Sequence, residues 1–304
     1  MIKQLLISSI VVLCTWLHTS AQHAYFPTKG KITFEREVYQ RARMREMNNK
    51  MASQGQNAGM MMRFGGNIED IPEKSSDMLT LHFDEKETLM QFNDPENTST
   101  RPNGNRPGGG GNRGGGGGRG GQPMGAVSMG GGSVQVRGGG FGGRRPQFNK
   151  IFFQDLQNQT SEVEMELDEK YNLKDSLQQV TWRFTDEYRN IAGYECRRVN
   201  GATADSLYII AFYTDQIPVS GGPALVNGLP GMILGLVIPE MHINYWARNI
   251  EFTTENVPKQ WRDKKSKAMS MEEFFKSLSG NRMFGGGASG GKQLKRNLLE
   301  NLIY

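Results

Sequence analysis

Cysteine, histidine and long apolar runs are all scarce in this 304-residue chain. One of its two cysteines, Cys14, lies in the apolar N-terminal stretch, which leaves Cys196 with no internal disulfide partner once that stretch is removed. A lone thiol in an oxidising compartment is either buried and inert or open to metal, mixed-disulfide or redox chemistry. Cys196 alternates with Tyr194 where a turn enters a strand, which predicts a half-buried strand position. Beyond the N-terminal stretch the only histidines are His23, His82 and His242, and no His-Glu-x-x-His, Gly-x-Ser-x-Gly or paired-cysteine motif occurs. The nucleophile, base and orienter of a hydrolase, or the ligands of a metal-held water, are therefore not assembled in the sequence, and the expectation is a protein that is not an enzyme. Asp186, Glu187 and Asp215 are the carboxylates that invite a catalytic reading, yet Asp215 at Tyr-Thr-Asp-Gln-Ile-Pro is as easily a turn former whose side chain caps its own backbone. After residue 21 no apolar run is long enough to span a bilayer. Acidic residues are missing between Glu96 and Asp155.

The N-terminus has a basic start (Met1-Ile-Lys3), an apolar core over residues 5–17 and a small-residue stop at Thr19-Ser-Ala21, the pattern of a secretory signal peptide cleaved after residue 21. Leu13, not a small residue, precedes Cys14, so simple export is expected rather than lipidation. The formal charge of +5 includes Lys3 of the leader and is too mild to call for nucleic acid.

The body reads as one β-rich domain over residues 22–284 with two insertions. Ile32, Phe34 and Val38 alternate with charge, leaving Arg36 on the inner register, as in a strand with one wet face. Residues 41–66 break the pattern: Met44, Met47 and Met51 fall at i, i+3 and i+7, one face of a helix, and Met60, Met61 and Met62 follow in a polar context. Thioethers suit Cu(I), but a flexible Met-rich contact surface or a tolerated loop fits as well. Leu79, Leu81 and Phe83, a turn at Asp84-Glu-Lys86, then Thr88, Met90 and Phe92 predict a hairpin, with His82 on its solvent side. Residues 101–148 are Gly-rich and threaded with Arg106, Arg113, Arg119, Arg137, Arg144 and Arg145; such a segment cannot bury enough apolar surface to offset its ordering entropy, and disorder is expected. In an exported protein its partners would be an anionic envelope surface or an acidic receptor, with an inert cationic loop as the plain reading, and no nucleic acid is expected. Apolar alternation resumes from Lys150, with strand patterns about every ten residues and no β/α alternation. The predicted fold is mainly β, a curved antiparallel sheet forming a bowl or half-barrel with short C-terminal helices. Ser270-Met-Glu-Glu273 is a capping box opening one helix, and residues 285–304 read as a linker and a last amphipathic helix that packs on the domain or docks elsewhere.

The densest turn chemistry lies at Pro218-Val-Ser-Gly-Gly-Pro223 and Asn227-Gly-Leu-Pro-Gly-Met-Ile-Leu-Gly-Leu-Val237. Pro230 followed by Gly231 predicts a type II turn with positive φ at Gly231, feeding a buried strand from Met232 that Pro239 closes. This is either a structural turn or a ligand-gripping loop built from Gly228, Leu229, Pro230, Gly231, Met232 and Ile233. The hexapeptide resembles the signature of the GLPGLI family of Bacteroidota, with Met232 at its fifth position. Trp182-Arg-Phe-Thr-Asp-Glu187, Ile191-Ala-Gly-Tyr-Glu-Cys196 and Ala211-Phe-Tyr-Thr-Asp-Gln-Ile-Pro-Val-Ser220 resemble further blocks of that family in the same order. The resemblance implies an exported β-rich protein, periplasmic or associated with the outer membrane, whose partner is a TonB-dependent β-barrel receptor or another envelope protein. It implies no established activity and no cofactor. The alternative is a periplasmic copper-binding protein using Met44, Met47, Met51, Met60, Met61, Met62 and His242.

Overall fold

In the computed structural model the described residues are 26–53, 68–93, 150–166, 169–279 and 299. They form β1 (Gly30–Val38), α1 (Gln40–Ser53), β2 (Ser75–Phe83), β3 (Glu87–Phe92), β4 (Lys150–Asp155), β5 (Thr160–Glu166), β6 (Lys170–Ser176), β7 (Val180–Ile191), β8 (Tyr194–Thr203), β9 (Tyr208–Thr214), β10 (Met232–Ile238), β11 (Ile243–Phe252), β12 (Lys267–Ser270) and α2 (Met271–Ser279). The twelve strands make one open sheet in the order β12-β6-β5-β4-β3-β2-β1-β11-β10-β9-β8-β7. Neighbours pair antiparallel, as expected, except that β12 lies parallel to β6, so the sheet is mixed. A parallel neighbour needs a crossover, and residues 253–266 supply it by running from the middle of the sheet to its edge.

Period-two alternation sends one set of side chains to each face. Ile32, Phe34, Leu79, Leu81, Met90, Phe152, Val163, Ala211, Leu236 and Tyr245 share one continuous core on the concave face. The segment between β9 and β10 lies across this face and touches β3 and β4, although β2, β1 and β11 intervene in the sheet. A sheet with native twist can bring strands so far apart onto one filling only by curling around it, which is the bowl predicted from sequence.

The other face of β3 to β5 is roofed by the crossover. Val257 and Trp261 pack on Leu89 and Phe153 as a second apolar cluster. Arg262 donates two hydrogen bonds of 2.8 Å to the Glu162 carboxylate and lies over the Trp261 ring at 4.5 Å and the Phe153 ring at 5.2 Å. Burial alone would raise the Glu162 carboxyl, but hydrogen bonds from Arg262 and Asn172 outweigh it and hold the pKa below the ordinary value. His82 is on the face opposite Leu81, as predicted, but half covered rather than free, and burial followed by the charge of Lys31 lowers its pKa.

At the far edge the capping box forms: Ser270 N–H donates to Glu273 Oε2 at 2.9 Å and Glu273 N–H to Ser270 Oγ at 3.1 Å. The helix it opens packs Phe274 against Tyr171 with ring centres 5.3 Å apart. Leu299, the single described residue beyond α2, is buried in the main core. Residues 1–21, read from sequence as a leader, the 101–148 tract and the rest of 285–304 lie outside the described residues.

Candidate functional site

The signature hexapeptide belongs to a segment that fills the bowl. Ile217, Val219, Ala224, Leu225, Val226 and Leu229 are buried, as are Met232 and Ile233 where β10 begins. The Gln154 amide donates to the carbonyls of Gly222 (3.3 Å) and Ala224 (3.0 Å), while Ala224 N–H points at Met90 Sδ (3.2 Å). Met232 N–H and Ile233 N–H bond back to Ile217 O (3.0 Å) and Gly221 O (2.9 Å), tying the filling to its own strand. These bonds satisfy backbone groups that burial would otherwise leave costly.

The two glycines of the signature have different roles from those the type II turn assigned. Gly228, not Gly231, takes the left-handed conformation, with φ of +87°. Gly231 is required by contact instead: a Cβ there would stand 2.1 Å from Thr214 O. Of the six loop residues singled out from sequence, Leu229, Gly231, Met232 and Ile233 are buried, and only Gly228 and Pro230 face outward. Trp182 lies beside Gly228 and donates from Nε1 to Asn227 O at 3.2 Å, closing the filling from β7.

One end of the sheet gathers the other candidates. Val38 pairs with Ser75 at the base of the first insertion, while β3 ends and β4 begins side by side at the base of the second. The β10–β11 turn comes to the same end, where Tyr39 N–H donates to His242 O at 3.0 Å. Residues 41–66 are thus not wholly an excursion: α1 occupies most of their first half and is anchored by Arg41, whose guanidinium binds Ile71 O at 3.1 and 3.3 Å. His242 reaches α1 through Glu46, with Nε2 and Oε2 2.7 Å apart. At 3.6 residues per turn Glu46 lies about 130° around the helix from the centre of the Met44, Met47 and Met51 stripe. His242 thus meets a carboxylate on the helix that carries Met44. Met44 is half-buried; the side chains of Met47 and Met51, and Met60, Met61 and Met62 altogether, lie outside the described residues. Among the described residues no three His, Cys, Asp or Glu side chains converge as a metal-binding group.

Beneath α1 the concave face carries a polar cluster that sequence reading caught only through Arg36. Arg36 pairs with Asp77 at 3.2 Å and lies 5.9 Å over the Phe92 ring, with buried Tyr245 opposite it on β11. Lys150, only 5% exposed, opens β4 on the same face. Burial, then the positive charges of Arg36 and Arg43, hold its ammonium well below the ordinary lysine value, against the pull of Asp77. Burial likewise keeps the Tyr245 phenol protonated to higher pH. Lys150 was legible only as the residue from which the apolar alternation resumes; its own residue type does not mark it as inward-facing.

Cys196 is fully buried on β8, beyond the half-burial expected, and burial pushes its thiol up to about 12. At neutral pH it is a protonated core residue.

The opposite edge of the sheet is open. β7 is the last strand, and among the described residues nothing pairs with its outer side. Phe184 and Tyr188 are 47% and 57% exposed on it.

Comparison with known proteins gives a partial match. A family model described as "Protein of unknown function (Porph_ging)", a domain associated with Bacteroidota, matches residues 199–235, from the end of β8 through β9 and the filling into β10. No curated protein matches the chain. Two solved structures of a protein named PNGF-II, in P21 and C2 space groups, are similar at 11% identity with TM-scores of 0.45 and 0.46. Each similarity covers 83% of this chain, which spans about a third of the length of theirs (33% and 32%).

Proposed function

We propose that this protein is an exported, non-catalytic binding module of the cell envelope, of the GLPGLI type, which holds a partner at the end of the bowl where the two insertions attach. The observation that carries this reading is the placement of those attachments. The chain leaves the sheet after Val38 and after Phe92 and re-enters at Ser75 and Lys150, all at one end of neighbouring strands. Among the described residues the apolar cluster of the buried face is built from strands, Leu207, the 215–231 filling, Met241, α2 and Leu299, with no buried member from either excursion. Sequence that the core does not need, gathered at one end, is what a display platform requires.

The second excursion carries seven arginines and no acid between Glu96 and Lys150, so its partner presents negative charge: an acidic receptor surface or the anionic groups of the envelope. The family resemblance favours an outer-membrane β-barrel receptor. The test is to purify the tagged protein from its native envelope, beside a variant in which residues 95–148 are replaced by Asn-Gly. Recovery of a stoichiometric envelope protein with the full chain, lost from the folded variant and weakened by salt, is the expected result. Equal recovery by both, or bound copper with no partner, overturns the reading.

A further inference from the structure

Edge strands are where a sheet can recruit another chain, and natural proteins blunt them with bulges, short length or cover. The β12 edge is four residues long and runs straight into α2. The β7 edge is twelve residues long and is blunted at one place only. Between Phe184, which pairs with Val199, and Tyr188, which pairs with Arg197, three residues of β7 face one of β8. This bulge is held rigid from within. Thr185 Oγ1 donates to Arg198 O at 2.7 Å, Arg197 Nε donates to Thr185 O at 2.6 Å, and Asp186 and Glu187 pair with Arg197 and Arg198 at 3.2 and 2.6 Å. The carboxylates of the bulge are thereby spent on its own arginines.

Beyond the bulge four residues, 188–191, pair with Arg197 to Tyr194, and before it lies the longer regular stretch of five residues, 180–184, in register with Thr203 to Val199. Its concave-side residues are preset: Trp182 is fixed by its bond to Asn227 O and by contact with Gly201, where a Cβ would come within 2.6 Å of the ring. Phe184 is held edge-on to Tyr213 at 6.1 Å and under the Arg197 guanidinium at 5.4 Å, yet keeps nearly half its surface exposed. The convex-side residues Thr181 and Arg183 are exposed, and no ion pair of Arg183 is among those described.

We propose that residues 180–184 of β7 are a docking edge that accepts an extended segment of another protein as a further strand, with apolar residues alternating with acidic ones. Backbone pairing supplies the affinity, the apolar positions cover Val180, Trp182 and Phe184, and an acidic position meets Arg183. A second copy of this chain is the poorer occupant. Antiparallel self-pairing centred on Trp182 puts the two Arg183 side chains on one face at diagonal positions, where like charges repel.

The test uses the full mature chain and two end-blocked heptapeptides, Val alternating with Glu and Val alternating with Lys. Binding is read by fluorescence anisotropy and located by amide hydrogen exchange. The expected result is that the Glu peptide binds, protects the amides of residues 180–184, and loses about fivefold in affinity on Arg183→Glu while the Lys peptide gains. Arg183 is exposed, so the variant keeps its fold, which the exchange pattern of β1 and β10 verifies. Absence of binding, protection elsewhere, or indifference to Arg183→Glu overturns the proposal. Concentration-dependent dimerisation protecting the same amides does so too, by giving the edge to a second copy. Envelope recovery through residues 95–148 is a separate readout, so either result stands or falls alone.

Discussion

At the scale of single residues, the signature glycines are required for different reasons, and mutation separates them. Gly231→Ala drives a methyl into Thr214 O and should cost about 3 kcal/mol, with the sheet between β9 and β10 forced apart. Gly228→Ala meets only Trp182 Nε1 at 3.5 Å and should cost about 1 kcal/mol, the penalty of a left-handed backbone. Urea unfolding midpoints of the two variants check the order. Cys196 should resist thiol reagents in the native state and react fully once unfolded. Its folded pKa is raised, so the unfolded chain loses the proton first, and stability should fall as pH climbs from about 9 toward 12. Cys196→Ala should remove that alkaline slope. Lys150 runs the other way: with its folded pKa depressed, the native state binds fewer protons and the burial penalty is largest at neutral and acidic pH. Lys150→Met should raise stability at pH 7 by about 1 kcal/mol, because burial, and then the cations Arg36 and Arg43, outweigh the pull of Asp77 on its ammonium; a destabilised variant would mean that its polar contacts outweigh that penalty.

At the scale of elements, the crossover over β3 to β5 is held by Val257 N–H on Asp84, Asp263 N–H on Glu164 and, with the most contacts of any single side chain, the Arg262 guanidinium. Arg262→Ala removes two hydrogen bonds to Glu162 and two ring contacts, and should cost about 2 kcal/mol while exposing residues 257–266 to rapid hydrogen exchange. Because the Glu162 pKa is depressed in the fold, this stabilisation is present above about pH 4.5 and is lost as pH falls through the folded value. The acid limb of the stability curve should therefore be shallower in the variant. Strands of this kind were readable beforehand because inner and outer residues alternate: Ile32, Phe34 and Val38, or Leu79, Leu81 and Phe83, point where the period places them. The type II turn was misassigned because Pro-Gly reports local dihedral preference, whereas Gly231 answers to Thr214, seventeen residues away and brought close by pairing of β9 with β10.

At the scale of the whole molecule, replacing residues 95–148 by a two-residue turn should leave the melting temperature within a few degrees, since Gln91 and Ile151 already face each other across paired strands. Differential scanning fluorimetry checks this, and a collapse of the fold would mean that the tract takes part in the core. Among the described residues no helix is long and apolar enough to cross a membrane.

The sequence by itself determined the fold class, the face of most strands, the capping box of α2 and the strand position of Cys196, because these depend on periodicity and on neighbours one to four residues away. Tertiary structure decided what the signature does. A loop rich in Pro and Gly reads equally well as exposed or interior until the sheet curls around it, and only then do Leu229, Met232 and Ile233 become core. The same closure buried Lys150, delivered His242 to Glu46 across 196 positions and, among the described residues, left the outer side of β7 unpaired. Each outcome depends on which strands lie side by side, and strand order is set by long-range burial that no local pattern carries.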